Sequence, residues 1–219
     1  MTGFPASPRL VKAGLVLMDP IKLTVQRVIA MQYNPETLTR TLQAQAVGPD
    51  SGDRLETLRL KAPPVETIKF DAEMDAADEL EHPEQNPDTV QYGIAPRLAA
   101  LETIVYPTSA QLQSTNSMAG AGTLEIAPSE APLTVFVYGQ NRVVPVRLTD
   151  FSITEEEFDP LLNPIRAKIS IGLRVLSIND LTFEHRGAGL FLAYQRQKEL
   201  LAAKLPSGAL NALGIRSIP

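Results

Sequence analysis

Residues 165–175 read IRAKISIGLRV, and this stretch determines the class of fold that the rest of the chain can adopt. The odd-numbered positions are apolar, whereas the even-numbered positions are Arg166, Lys168, Ser170, Gly172 and Arg174. Successive side chains of a strand point to opposite faces. The alternation therefore predicts a strand of about ten residues or more, with one buried face and one solvent-exposed face.

The sequence before this strand predicts a hairpin followed by a bulge. Residues 133–138 and 143–148 are mostly apolar and flank a short link with turn-forming residues, Gly139 to Arg142. The apolar parity then changes, because Val144, Val146 and Leu148 are followed by Phe151 and Ile153. A one-residue slip would turn every later side chain to the other face. We therefore predict a bulge or corner near residues 149–150, in a curved antiparallel sheet.

Shorter strands are predicted in the first third of the chain. Residues 10–33 indicate a hairpin that ends at Asn34-Pro35-Glu36, because proline fixes its own φ and disfavours helix for the residue before it. Residues 37–47 alternate again, a loop follows at 48–53, and an extended segment at 55–61 leads to two prolines. Residues 65–74 predict a further strand.

The remaining segments predict one inserted helix and one C-terminal helix. Residues 75–88 form an acidic connection, and the firm part of the helix that follows is 96–105, with proline in its first turn. Residues 108–131 have too little apolar content to pack and are expected to form a flexible insertion, as is the region near 75–88. A partial apolar stripe over 190–205 predicts the last helix, after a glycine-rich hinge at 187–189.

Composition excludes several classes of function. The net charge of −5 offers no basic footprint for nucleic acid, and the absence of cysteine excludes disulfides and thiolate metal sites. No apolar run approaches the roughly 20 residues of a membrane helix, and the first residues lack the features of a secretory signal. We expect a protein that is made and folded in the cytoplasm, without nucleic-acid binding or membrane insertion.

No motif in the chain predicts catalysis. The acidic run beginning at Asp71 resembles the start of a calcium loop, but alanine and histidine stand where that motif needs glycine and glutamate. The acids at 155–159 lie in a contiguous run at a turn, where burial cannot separate their pKa values. His82 and His185 lie in polar loops without nearby ligand partners. Gly120 to Thr123 lacks the residues of a phosphate-binding loop and is interpreted as a hinge. We predict no enzymatic activity, no cofactor and no metal.

Three long blocks of sequence resemble one known family. They are MQYNPETLTRTL at residues 31–42, then PPVETIKFDAEMDAADELE with NPDTVQYGIAPRLAALETIVYP at 63–81 and 86–107, and finally the block from 132 to 177 that contains the opening strand. In this order and spacing the chain is similar to the tube/baseplate proteins of bacterial contractile injection systems, which are phage-tail-like particles. The resemblance covers most of residues 9–181.

The resemblance implies a mainly β (α+β) fold, an antiparallel β-barrel or β-sandwich of the tail-tube type. It divides the chain into a flexible arm at 1–9, a tail-tube-like domain at 10–181 and a C-terminal helix and tail at 182–219. It implies a tube initiator or hub adaptor that forms a ring, with six-fold symmetry, and joins inner tube proteins to the hub and spike of the baseplate. The particle would be assembled in the bacterial cytoplasm and then kept or released. Many members carry a C-terminal LysM module; residues 182–219 are too few for one, so peptidoglycan binding is not implied.

The alternative from a different class is a free-standing β-sandwich binding module that recognises an effector or a glycan through its loops. The cationic face of residues 165–175 leaves anion binding open beside a solvated or subunit-facing surface. We name as candidate subunit-interface residues Asn34, Pro35, Glu36, Arg166, Lys168, Arg174, Leu190, Phe191, Tyr194 and Leu201.

Overall fold

A computed structural model describes residues 10–46 except 20, 21 and 23, residues 59–120 and 131–206, and residues 208–218 except 209. Its seven strands form an antiparallel sheet in the order β2-β1-β5-β6-β7-β4-β3. The strands are β1 (Gly14–Met18), β2 (Val25–Ala30), β3 (Leu38–Ala46), β4 (Leu60–Asp75), β5 (Leu133–Val137), β6 (Val143–Phe158) and β7 (Pro164–Val175). The helices are α1 (Ala77–Leu80), α2 (Pro87–Tyr92), α3 (Ala95–Glu102), α4 (Ser109–Gly120) and α5 (Arg186–Ala202).

The strand predicted from the opening stretch is confirmed. β7 lies between β6 and β4, and its apolar positions from Ala167 to Val175 are buried. The predicted bulge is confirmed as well, because the pairing of β6 with β7 shifts register between Leu148 and Asp150. After the shift Phe151 lies opposite Ile171, so the apolar residues of both strands return to one face.

The sheet curls upon itself without closing. The rings of Phe70 in β4 and Phe136 in β5 stack with centroids 5.3 Å apart, although β6 and β7 lie between these strands in the sheet order. Gln32, just after β2, exchanges two hydrogen bonds with the backbone of Asp75 at the end of β4. The mainly β class is thus confirmed, but in the described residues the sheet is not closed into a barrel, which was one of the two architectures that we expected.

β4 begins earlier than predicted and runs through Pro63 and Pro64. Proline is tolerated in a sheet at bulges and where its nitrogen faces away from a neighbouring strand. Both conditions are met here. The pairing of β3 with β4 has a bulge near Gln43 and Gln45, opposite the prolines, and β7 pairs with β4 only from Thr67 onward. The prolines therefore lie in a part of β4 that has a strand on one side.

In the described part of the connection between β4 and β5, four helices are present where one was predicted. The predicted helix over 96–105 corresponds to α3, which buries Leu98 and Leu101 against the core. Gly93 separates α2 from α3 with a φ of 58°, and a Cβ there would lie 2.2 Å from the carbonyl oxygen of Pro164. Within the region expected as a flexible insertion, residues 109–120 form α4, which has no buried residue. Residues 121–130 lie outside the described residues, as do the predicted arm at 1–9 and the loop at 48–53.

The C-terminal helix begins four residues earlier than predicted. α5 starts at Arg186, so the supposed hinge at 187–189 forms its first turn. The imidazole Nδ1 of His185 accepts a hydrogen bond from the backbone N–H of Gly187 at 3.0 Å and caps this helix. A Cβ on Gly187 would lie 2.4 Å from a methyl group of Leu181, so a larger residue there would require the Leu181 side chain to move.

Candidate assembly surfaces

The cationic face of β7 is largely neutralised within the chain. Arg166 donates to Asp75 and to Glu157, each at 2.8 Å, and lies across two neighbouring strands. The backbone N–H of Ala77 and the guanidinium of Arg166 hold the pKa of the Asp75 carboxyl below its usual range. The residue therefore ties β4 and β6 to β7, and most of its hydrogen-bonding capacity is used inside the subunit.

The other two candidates on this strand also have carboxylate partners. Lys168 lies 3.3 Å from Glu156, and Arg174 lies 2.7 Å from Asp180 in the connection to α5. Such exposed pairs contribute little to stability, typically about 0–1 kcal/mol. Positive and negative side chains alternate across this surface. Such an arrangement disfavours a dedicated anion site and suits a surface that is solvated or makes polar contacts.

The turn after β2 is held by its own side chains. Asn34 accepts a hydrogen bond from the backbone N–H of Ala13 and donates one to the carbonyl of Val11, both at 2.8 Å. Pro35 is buried and Glu36 is exposed. Of this candidate triplet, Asn34 therefore positions the turn and Pro35 is buried, while the side chains of Asn34 and Glu36 are both exposed.

Two candidates on α5 lie inside the subunit. Phe191 and Tyr194 are 7% and 4% exposed and belong to the core, whereas Leu201 is 42% exposed and Leu190 is half-buried. Phe191 and Tyr194 were predicted at a subunit interface, but in this structure their side chains pack inside the subunit. Through these two side chains α5 fills part of the core of the β domain.

A buried carboxylate joins α5 to the sheet, and sequence reasoning missed it. Glu66 in β4 is 3% exposed and accepts hydrogen bonds from Arg40 at 2.8 Å, Lys198 at 2.9 Å and the hydroxyl of Tyr194 at 3.0 Å. The signal was present, because Glu66 shares the parity of Ile68 and of the other core residues of β4. A charged residue at a core position requires charged partners.

The electrostatics of this cluster follow from burial and from its two cations. Burial alone would raise the pKa of Glu66, but hydrogen bonds and positive charge from Lys198 and Arg40 outweigh it and hold that pKa below its usual value. Burial and the negative charge of Glu66 raise the pKa of Tyr194 to about 12. The cluster therefore contains an ionised carboxylate and a neutral phenol at physiological pH, an arrangement that holds a helix in place.

Both ends of the sheet present open edges. Among the described residues β2 pairs only with β1, and β3 pairs only with β4. Val25 and Val28 on β2 are 58% and 63% exposed, and Leu42 on β3 is 50% exposed. An open edge that carries apolar side chains is a template for pairing with another strand.

The acidic connection at 75–88 is held against the sheet and the following helices. Glu79 accepts hydrogen bonds from Arg97 and from the hydroxyl of Thr89, and these partners lower its pKa. In the described residues no group of three or more His, Cys, Asp and Glu side chains could hold a metal ion. His82 and His185 lie in separate turns, at the start of the helical region and at the cap of α5.

Comparison of the chain with models of protein families finds no match, and comparison with curated proteins finds none. Across the part of the chain that the structure describes, no helix is both long and apolar enough to cross a membrane.

Proposed function

We propose that this protein is a structural subunit of a bacterial contractile injection system, and that it joins the inner tube to the baseplate hub and spike in a ring. The single observation that supports this most is the pair of open edges, β2 and β3, at opposite ends of one curled sheet. The sequence resemblance to tube/baseplate proteins supports the same assignment. No catalytic turnover is part of this role.

The two edges differ in sequence, so their pairing between copies is heterologous. A heterologous contact produces a ring when the rotation from one copy to the next closes, and an open filament when it does not. In the proposed ring, β2 of one copy pairs with β3 of the next. The tail-tube barrel then forms between chains, which accounts for a sheet that stays open within one chain.

The edge strands are long enough for such a joint. β2 has 6 residues and β3 has 9, so a shared ladder can extend along the whole of β2. Side chains on both faces of β3 are mostly exposed, and Leu42 gains burial when a neighbour is present. Each backbone hydrogen bond in such a ladder contributes about 0.5–1.5 kcal/mol.

The test blocks each edge with lysine, which natural edge strands use to prevent pairing. Val28→Lys and Leu42→Lys are each introduced into a tagged chain in the native host, and large particles are pelleted. Val90→Lys is the control, because Val90 is a valine of similar exposure on α2, away from both edges. We expect the unmodified chain and the control to co-pellet with tube and sheath at one end of the particle, and both edge variants to stay in the supernatant.

The same experiment separates this role from that of a free-standing binding module. A module predicts a stable monomer with saturable ligand binding and intact particles that pellet without it. That result, or edge variants that assemble as well as the control does, would contradict the proposal. Electron microscopy of the pellets then locates the layer that the protein occupies.

A further inference from the structure

The tip of the β6–β7 hairpin presents a group of apolar side chains to solvent. Phe158, Leu161 and Leu162 are 49%, 78% and 79% exposed. Large exposed apolar side chains that lie together mark contact sites more often than isolated ones do. We call these three residues the tip patch, and they lie on neither of the two open edges of the sheet.

The backbone beneath the tip patch is held in one conformation. Asp159 accepts three hydrogen bonds at 2.8 Å, from the backbone N–H groups of Leu161 and Asn163 and from the side-chain amide of Asn163. Leu162 has a φ of 65°, a left-handed conformation that is costly for a leucine and persists only where the surroundings impose it. Because the turn is already fixed, little conformational entropy is lost when the patch binds a partner.

The acidic connection that follows β4 is held against this tip. The side-chain amide of Asn163 donates a hydrogen bond to the carbonyl of Gln91 at 3.1 Å. The backbone N–H of Ile94 donates to the carbonyl of Pro164 at 2.9 Å. The acidic residues of 75–92 and those of the hairpin tip therefore belong to one end of the molecule.

Negative charge is concentrated at this end. Residues 75–92 and 155–166 together hold ten of the chain's 25 aspartates and glutamates, but only one of its 20 lysines and arginines. Four of these ten acids pair with Arg97, Arg166 or Lys168. The exposed acids that form no salt bridge with another described residue are Asp78, Glu81, Glu84, Asp88 and Glu155. The tip patch therefore lies in a region of excess negative charge.

We propose that the tip patch docks a different protein, whose contact surface is an apolar pocket with lysine and arginine side chains around it. An apolar centre with a polar rim is the usual composition of a protein–protein interface. Positive charge on the partner would complement the acids, steer the encounter and fix the orientation of the bound pair.

The same charge disfavours the other occupants of such a surface. Phosphate groups of nucleic acid and of anionic lipids are repelled by the exposed carboxylates. A second copy of this chain brings a further net charge of −5 to the contact. Like charges placed against each other at an interface suppress the wrong partner. A basic protein surface is therefore the favoured occupant.

This inference goes beyond the proposed ring, because it assigns a third surface and a second kind of partner. The ring joint uses the backbone groups of the edge strands β2 and β3. Docking at the tip uses side chains at the end of β6 and in the turn that follows it. The contact therefore requires no pairing between copies of this chain.

A photo-reactive amino acid at the tip identifies the partner. p-Benzoyl-phenylalanine replaces Leu161 in the full chain in its native host, and the cross-linked peptides are identified by mass spectrometry. The matched control places the same amino acid at Leu200, which is 61% exposed on α5. We expect one other protein to be cross-linked from position 161 roughly tenfold or more above the control, through a segment with net positive charge.

Affinity measurements with that protein, once purified, test the chemistry of the contact. Leu161→Asp should weaken binding roughly tenfold or more, because it places a charge in the apolar contact. Asp88→Lys and Glu155→Lys should each weaken it by about threefold or more, as should a rise in NaCl from about 50 to about 300 mM. The control is Glu199→Lys, the same charge reversal on the part of α5 that contacts the β5–β6 turn, at the other end of β6. It should leave the affinity within about twofold.

The substituted side chains are all exposed in the described structure, so the variants should fold, and equal Tm values check this. Cross-linking no higher than from position 200 overturns the proposal, as does cross-linking to a second copy of the chain or to lipid. A partner whose affinity is unchanged by the two charge reversals overturns it as well.

The edge variants separate this inference from the proposed function. Val28→Lys changes a different surface, so it should leave the cross-link from position 161 unchanged. A chain that forms no ring and still docks the basic partner contradicts only the proposed function. A chain that forms the ring without docking this partner contradicts only the inference about the tip patch.

Discussion

Replacing Glu66 with glutamine tests the central electrostatic inference about this fold. The substitution keeps the shape and one oxygen acceptor of the side chain but removes its charge. Arg40 and Lys198 then face a neutral group at the joint between the sheet and α5. We expect Glu66→Gln to lower the free energy of unfolding. Arg40 and Lys198 lose hydration when they pack at this joint, and among the described residues the carboxylate of Glu66 is the negative charge that compensates both of them.

The expected magnitude follows from exposure. Breaking a buried ion pair from one side costs about 3–5 kcal/mol. Here the side chains of Arg40 and Lys198 are 28% and 30% exposed, so both cations regain part of their hydration when the charge is lost. We therefore expect a loss near the lower limit, about 3 kcal/mol. For a chain of this size that corresponds to a fall in Tm of roughly 6–12 °C.

The assay is urea unfolding followed by far-UV circular dichroism, since the chain has no tryptophan for fluorescence. The pKa of Glu66 is lower in the folded chain than in the unfolded one. Its contribution is therefore fully present above the unfolded value, about 4.3, and is lost as the pH falls through the lower folded value. The difference between the unmodified chain and Glu66→Gln should be constant from pH 5 to 7 and should shrink at lower pH.

Glu73→Gln is the matched control, because Glu73 lies on the same strand but is exposed on the opposite face. We expect it to change the free energy of unfolding by less than about 0.5 kcal/mol. If Glu66→Gln costs no more than this control, or if its effect persists unchanged at a pH where the carboxyl is protonated, the charge of Glu66 does not stabilise the fold.

Three further predictions concern the core and the hairpin tip. Gly93→Ala should lower the free energy of unfolding in urea by about 1–3 kcal/mol, because Gly93 has a positive φ and lies close to the carbonyl of Pro164. Gly189→Ala is the control in the open first turn of α5, and it should raise the free energy of unfolding by up to about 1 kcal/mol. Equal effects would contradict this account. Ile169→Ala should cost about 2–5 kcal/mol, since the side chain is fully buried, and a smaller loss would place it outside the core. Asp159→Ala should speed hydrogen exchange of the tip amides without lowering Tm, and unchanged exchange would mean that its hydrogen bonds do not order the tip.

Local pattern predicted much of the sheet. The alternation of β7, the hairpin of β5 and β6 and the bulge between Leu148 and Asp150 all follow from side-chain parity, and the structure confirms each. Parity is reliable here because it depends on neighbouring residues of one strand. The candidate residues of β7 were also placed correctly on its polar face, although their partners on other strands were not identified.

The errors arose where the residue pattern of a segment did not identify what packs against that segment. Gly187 belongs to a helix because His185 caps it and Leu181 packs against it, and an isolated glycine-rich stretch resembles a hinge. Phe191 and Tyr194 were named as subunit-interface candidates, because the apolar stripe of a helix indicates burial without identifying what covers it, and both are buried inside the subunit. A barrel or a sandwich was expected from the resemblance, and the described sheet remains open at β2 and β3.

The mainly β class, the alternating faces of the strands and the position of the bulge could be predicted from residue pattern alone. These features depend on backbone geometry over a few residues. The packing of the folded chain was needed to show which charges meet at Glu66, how far the sheet curls and where its two edges lie. These features depend on contacts between residues that are far apart in the chain, such as Glu66 and Lys198. The packing follows from the sum of many such contacts, and the local sequence pattern does not show which residues will meet.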